Sequence, residues 1–300
     1  MSRLKDPTLL FDKLIDLVFM FIGLYLAIAV QDWQDLQKSK EQYKQLLSGF
    51  VEEVNANQEQ KQSVESQIGQ IREFKDIGKA KIYFDYFHGQ SKYFEDFFKT
   101  YEAMFHLKHK KRSAQEEEEL KNLVAKLKEK SHLKKPETFE LTPMYRKDVW
   151  NFYLAGGVHL FQTFNRKDQS IKCRSSDQKM QNLAICIGAT YGFLHDIENI
   201  VDEIQVLVND TYFGKQAEID ALFKGFSEQI KELDGNSNEN QMMKSLIQKN
   251  IQKIQSIRAL VNQNESLVKF KVKALKTKLL QTDDRFNSVA QALSQEISRL

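Results

Sequence analysis

Leu14–Trp33, LIDLVFMFIGLYLAIAVQDW, is the one oily stretch of a chain that is otherwise wet. Of its residues 28% are charged, and its mean hydropathy is −0.52. From Leu17 to Val30 fourteen residues carry no charge, and Leu14 and Ile15 extend the run across Asp16. Counted from Leu14, the stretch makes roughly 25 Å of helix, the lower limit for crossing a bilayer core. Asp16 lies within a turn of the edge, where a carboxylate reaches headgroups more cheaply than at the centre. Trp33 falls just past the other edge, at the depth indoles favour. Three readings compete. An uncleaved membrane anchor accounts for the length and the flanks. A signal peptide is suggested by Ala27-Ile28-Ala29, which has small residues at cleavage-site spacing, but the leading region is mixed in charge and Asp16 intrudes. A soluble core helix needs apolar neighbours on every face. The anchor is the expectation, carried by Leu14, Ile15, Leu17, Val18, Phe19, Phe21, Ile22, Gly23, Leu24, Ala27, Ile28, Val30 and Trp33.

Orientation follows from the basic residues. Arg3, Lys5 and Lys13 precede the stretch, and Lys38, Lys40 and Lys44 follow it only at a distance. The positive-inside rule then places the amino terminus in the cytoplasm and the bulk outside. For a bacterial cell this means a single-pass protein of the inner membrane, with a periplasmic or extracellular domain. Gly23 and Ala27 form a small-xxx-small pair that lets two spans approach closely.

The run IGLYLAIAVQDWQDLQKSKEQYKQLLSGFVEEVNAN resembles the start of an uncharacterised family of bacterial single-span proteins, in which an apolar helix with Ile-Gly, Ala and a Trp motif leads into a long polar helix. Ile22-Gly23, Ala27 and Asp32-Trp33-Gln34 stand at those places, and VWNFYLAGGVHLF (149–161) is similar to a second family feature, an aromatic helix ending at a Gly-containing turn. The resemblance implies an anchor and brings no activity with it.

Three prolines and twelve glycines are few for 300 residues, which favours long helices over strands and tight turns. The expected fold is all-α. A short cytoplasmic tail (1–13) leads into the anchor (14–33), then a stalk helix and an aromatic-rich region (34–135). A linker (136–143) bracketed by Pro136 and Pro143 precedes a helical bundle (144–300) with a long carboxy-terminal amphipathic helix. After Trp33 the helix continues: Tyr43, Leu47, Phe50, Val54, Asn57, Lys61, Val64, Ile68 and Ile71 alternate steps of four and three, a heptad seam that serves a coiled coil or an intramolecular bundle alike. Gly78 marks a break. Tyr93, Phe94, Phe97, Phe98, Tyr101 and Phe105 then form an aromatic stripe at helical spacing, either a core or contact surface, or the wall of a ligand pocket. Tyr43, Leu47, Phe50, Val54, Tyr93, Phe97 and Tyr101 are the candidate interaction face.

Ser113 and Glu116 read as a capping box, opening a charged helix whose first turn is filled by Glu116 to Glu119. A helix from Met144 to about Phe164 is expected to bend at Gly156-Gly157. Another is expected from Ser176 to about Tyr212, a surface loop at 233–240, and a final helix from Gln241 with a break near Thr282–Asp284.

Net charge is +3, from 44 basic and 41 acidic residues, which gives no electrostatic footprint for nucleic acid. The two cysteines, Cys173 and Cys186, are too few for a disulfide scaffold. Outside the cytoplasm they can pair; inside it they would be small core residues. His106 and His109 lie three apart on one helical face with Glu102 a turn earlier, but there is no HExxH, and one partial face is not a site. Nor is there a G-x-S-x-G, Walker, G-x-G-x-x-G or C-x-x-C motif. No catalytic, cofactor-binding or metal-ligating residue is nominated. The expected partners are lipid, through the amino-terminal helix, and a second copy or another membrane protein. The expected function is a non-enzymatic, membrane-tethered helical scaffold, with extracytoplasmic ligand sensing through a separate membrane partner as the alternative.

Overall fold

The computed structural model describes residues 7–68, 80–108, 113–128, 136–137, 139–141, 145–164, 172–174, 180–233 and 239–300. Among them the fold is all-α apart from one short antiparallel ladder. The elements in chain order are α1 (Pro7–Ile68), α2 (Ala80–Lys108), α3 (Ala114–Lys128), α4 (Asp148–Phe152), α5 (Val158–Phe164), β1 (Lys172–Arg174), β2 (Met180–Asn182), α6 (Leu183–Asn209), α7 (Gln216–Leu233) and α8 (Glu239–Arg299). Widened π-helical turns join α4 to α5 (Tyr153–Gly157) and α6 to α7 (Asp210–Lys215). The chain divides into two compact units. One comprises Met1–Gln58, Arg146–Gly192 and Asp283–Leu300; the other comprises Glu59–Tyr145 and Phe193–Thr282.

α1 is unbroken over 62 residues, with Pro7 at its first position, where a missing N–H costs nothing. In the first unit its seam residues Tyr43, Leu47, Phe50, Val54 and Asn57 are buried. The rings of Phe161 and Phe164 close on Tyr43 at 5.1 and 5.2 Å, and Tyr191 packs on Phe50 at 6.0 Å and on Trp150 at 4.8 Å. The seam is therefore filled by the same chain. In the second unit Lys61 and Val64 continue the buried row, Lys61 pairing with Glu65 at 3.4 Å.

Several helix ends differ from the sequence reading. The helix expected from Met144 opens at Asp148, because the preceding backbone is held elsewhere: Asn57 donates to the Arg146 carbonyl at 3.0 Å and accepts from its N–H at 2.6 Å. The bend expected at Gly156-Gly157 is present, and Gly156 leaves the helix at φ 178°. At Gly157 the backbone lies close to α1: a Cβ there would stand 3.3 Å from a Leu46 methyl, tighter than an ordinary contact. The helix expected from Ser176 opens at Leu183, because Met180–Asn182 pair with Lys172–Arg174. No break occurs at Thr282–Asp284; α8 runs through. Thr282 is buried, and its hydroxyl donates back to the Lys278 carbonyl at 3.0 Å, a bond compatible with an uninterrupted helix. The Ser113–Glu116 capping box is formed: Ser113 N–H donates to Glu116 Oε2 at 2.8 Å, and Glu116 N–H donates to Ser113 Oγ at 3.3 Å. Gly78, Ile71, His109 and residues 234–238 of the expected loop lie outside the described residues.

In the second unit residues 136–137, 139–141 and 145 are non-helical and have no strand partner among the described residues, so helix side chains satisfy their backbone. Tyr83 donates to the Glu137 carbonyl, Tyr212 to the Pro136 carbonyl at 3.1 Å, and Gln205 accepts from Leu141 N–H at 3.2 Å. Phe139, Leu141 and Tyr145 are buried.

Candidate functional site

The apolar run of α1 has no protein around it. Every residue from Lys13 to Lys38 is exposed, including Phe19 (67%), Phe21 (60%), Tyr25 (73%) and Trp33 (61%). By length and composition this is a helix able to cross a membrane, and none of its apolar window is buried. Gly23 stands in open space, with no heavy atom within 4 Å of where a Cβ would lie. Among the described residues the first buried side chain on α1 is Tyr43. The change from oily and bare to oily and covered therefore occurs about ten residues, some 15 Å of helix, beyond Trp33.

Beyond that point the first unit is built around a polar row on α1. Glu53, 4% exposed, accepts from the Tyr191 hydroxyl and, at 2.7 Å, from Val149 N–H in the first turn of α4. A carboxylate so placed satisfies an orphan helix donor and meets the positive end of the helix dipole. Burial, reinforced by Glu53, pushes the Tyr191 hydroxyl far above the usual tyrosine range. Tyr43 faces the buried Glu296 of α8 and is pushed up in the same way, by burial first and then by that carboxylate. Glu296 is itself raised by burial, against the pull of Arg299 at 3.8 Å. Cys173 of β1 and Cys186 of the first α6 turn are joined as a disulfide, with Cα atoms 6.4 Å apart.

Beside α1, the same unit carries an open groove of about 690 Å³, walled by Leu46, Val149, Phe152 and Leu160. Gln42, Gln45, Asp148 and His159 stand around it, and Gly49 and Gly157 leave its floor low. Sequence reasoning missed this groove because its walls come from segments a hundred residues apart.

Of the candidate interaction face, Tyr43, Leu47, Phe50 and Val54 lie inside the first unit. Tyr93, Phe97 and Tyr101 lie half-buried on α2. The aromatic stripe packs ring on ring: Phe97 on Phe223 at 4.9 Å, Phe94 on Phe223 at 5.2 Å, Phe98 on Phe226 at 4.7 Å and Tyr101 on Phe226 at 5.3 Å. Those contacts join α2 to α7. Nearby, His88 of α2 meets Glu265 of α8 at 2.8 Å. Burial raises the Glu265 carboxyl, but its bonds to His88 and Lys269 outweigh this and hold it below the usual range. His106 is exposed, and among the described residues no three His, Cys, Asp or Glu side chains are placed to share a metal ion.

No family model matches the chain, and no curated protein and no solved structure is detectably similar to it.

Proposed function

We propose that this protein is a non-enzymatic scaffold, anchored in the bacterial inner membrane by α1 and displaying a helical bundle on the extracytoplasmic side. The observation that carries the reading is the bare apolar run of α1, in a chain whose later helices cover their apolar faces over most of their length. Exposing Leu, Phe and Ile over so many consecutive residues is costly in water and favourable in hydrocarbon. Lipid is the partner of that segment. Its Gly23/Ala27 pair supports close approach of a second span, from another copy or another membrane protein.

The Cys173–Cys186 disulfide supports the orientation, because such bonds persist in oxidising compartments and are rare in the cytosol. The aromatic stripe supports scaffolding over sensing, since its rings fill one another's space. The alternative, extracytoplasmic ligand sensing through a separate membrane partner, finds its support in the groove beside α1, where apolar walls and a few convergent polar groups meet.

Fractionation with protease accessibility tests the proposal. Full-length protein should stay in the membrane pellet after carbonate extraction, be cut to a short fragment in opened but otherwise intact cells, and be protected in unopened ones. Release by carbonate would overturn the anchor, and protection in opened cells would overturn the orientation.

A further inference from the structure

α6 and α8 pack antiparallel in the second unit, and three cross-links fix their register. Lys278 Nζ reaches Asp196 at 2.7 Å, Lys271 pairs with Glu203, and Asn264 Nδ2 donates to Asp210 at 3.4 Å. Each rung lies two helical turns from the next on both helices, so the seam is straight. On one side of it Ile197, Val201, Ile204 and Val208 of α6, and Val261, Val268 and Leu275 of α8, are buried.

On the other side the same two helices expose apolar groups. Val206 of α6 is 66% exposed and Phe213, in the turn that follows it, 52%; Leu260 is 48%, Leu267 41% and Phe270 66% exposed on α8. The register brings Val206 level with Leu267 and Phe270, and Phe213 level with Leu260. Five side chains thus line one strip along the outer edge of the seam. Contiguous exposed apolar strips rimmed by charge mark interaction surfaces.

The charges beside the strip are divided. The α6 edge carries the exposed Asp202 and the α8 edge the exposed Lys273, at one level, while Glu203 and Lys271 pair with each other across the seam. We infer that this strip is an interface for a second copy of the chain, related by a twofold axis running along the strip. Such an axis turns the acidic α6 edge of one copy onto the basic α8 edge of the other, so that Asp202 meets Lys273 twice. Between the two pairs, Val206 on α6 of each copy meets Leu267 and Phe270 on α8 of the other. A twofold axis across the strip would instead set acid against acid and base against base, which opposes association. The favoured axis leaves the two copies parallel. This deepens the self-association in the proposed function, moving it from the anchor to a surface that would pair even if the anchor did not.

Leu267→Cys tests the geometry in the full-length chain. The two native cysteines are bonded to each other, and the new thiol lies close to the axis. A short bismaleimide should link most of it as dimer in detergent and in native membranes, and Phe270→Glu in the same background should abolish the product. Asp202→Lys or Lys273→Asp alone should weaken dimerisation at least tenfold, and the two together should restore it. Circular dichroism checks that each variant folds. A Leu267→Cys protein that stays uncrosslinked overturns the interface, as does a charge swap that restores nothing. If the protein leaves the membrane with carbonate yet still crosslinks, the anchor fails and the interface stands.

Discussion

Glu53 shows how much one side chain holds in a helical protein. It is buried and accepts hydrogen bonds from a tyrosine hydroxyl on α6 and a backbone N–H on α4. Replacing it with alanine leaves the buried Tyr191 hydroxyl and the part-buried Val149 N–H without their acceptor. A buried donor left unpartnered costs about 1–3 kcal/mol and a part-buried one lies at the low end of that range, so Glu53→Ala should lower stability by about 2–4 kcal/mol in urea titrations. Tyr191→Phe removes one donor and should cost less, and a double-mutant cycle should show strong coupling between the two. Glu296 behaves in the opposite sense. Burial raises its carboxyl above the ordinary range, so its charged form is a cost to the folded state at neutral pH. That cost is relieved as pH falls through the raised value and is gone below the ordinary carboxylate range of about 4.3. Glu296→Gln should therefore raise the melting temperature at pH 7.5, and the advantage over wild type should shrink toward pH 4. An equal gain at both pH values would show that the carboxylate is not the cause.

Helices, as elements, were largely legible in the sequence, and their ends only in part. The continuation of α1 past Trp33 followed from the heptad spacing, because a row of apolar groups every three or four positions has one geometric reading. The bend at Gly156 and the cap at Ser113 followed from local chemistry. What could not be read depends on groups far apart in the chain. Asn57 holds Arg146 and delays α4, and nothing near Arg146 announces it. The β1–β2 ladder is three residues long and polar, below any periodic signal. The groove and the α6–α8 strip need the register between helices. At this scale the cap gives a local prediction. α3 is exposed over most of its described length, so Ser113→Ala, which costs about 1 kcal/mol of cap, should speed amide exchange in the first turns of α3 while the global melting temperature holds. A global shift of several degrees would mean that α3 is part of the core.

For the whole molecule, the disulfide is where fold and compartment meet. Cys173 and Cys186 are buried and thirteen positions apart. Closing a loop of that size removes unfolded-state freedom equivalent to about 3 kcal/mol in the chain-entropy picture. The bond ties β1 to the first turn of α6, and α6 carries Tyr191, the partner of Glu53, further along. Loss of the bond should therefore be felt in the first unit before the second. Cys173→Ser/Cys186→Ser should destabilise exchange-protected amides near Tyr191 and leave those near His88 and Glu265 less affected. The same bond reports where the protein resides. If α1 carries the domain out of the cytoplasm, rapid alkylation of intact cells in denaturant should leave both sulfurs unmodified until reductant is added. A chain held on the cytoplasmic side would be alkylated without it, because thiols there are kept reduced. The two measurements separate two roles of one bond: the first asks what it contributes to the fold, and the second asks which side of the membrane the fold occupies.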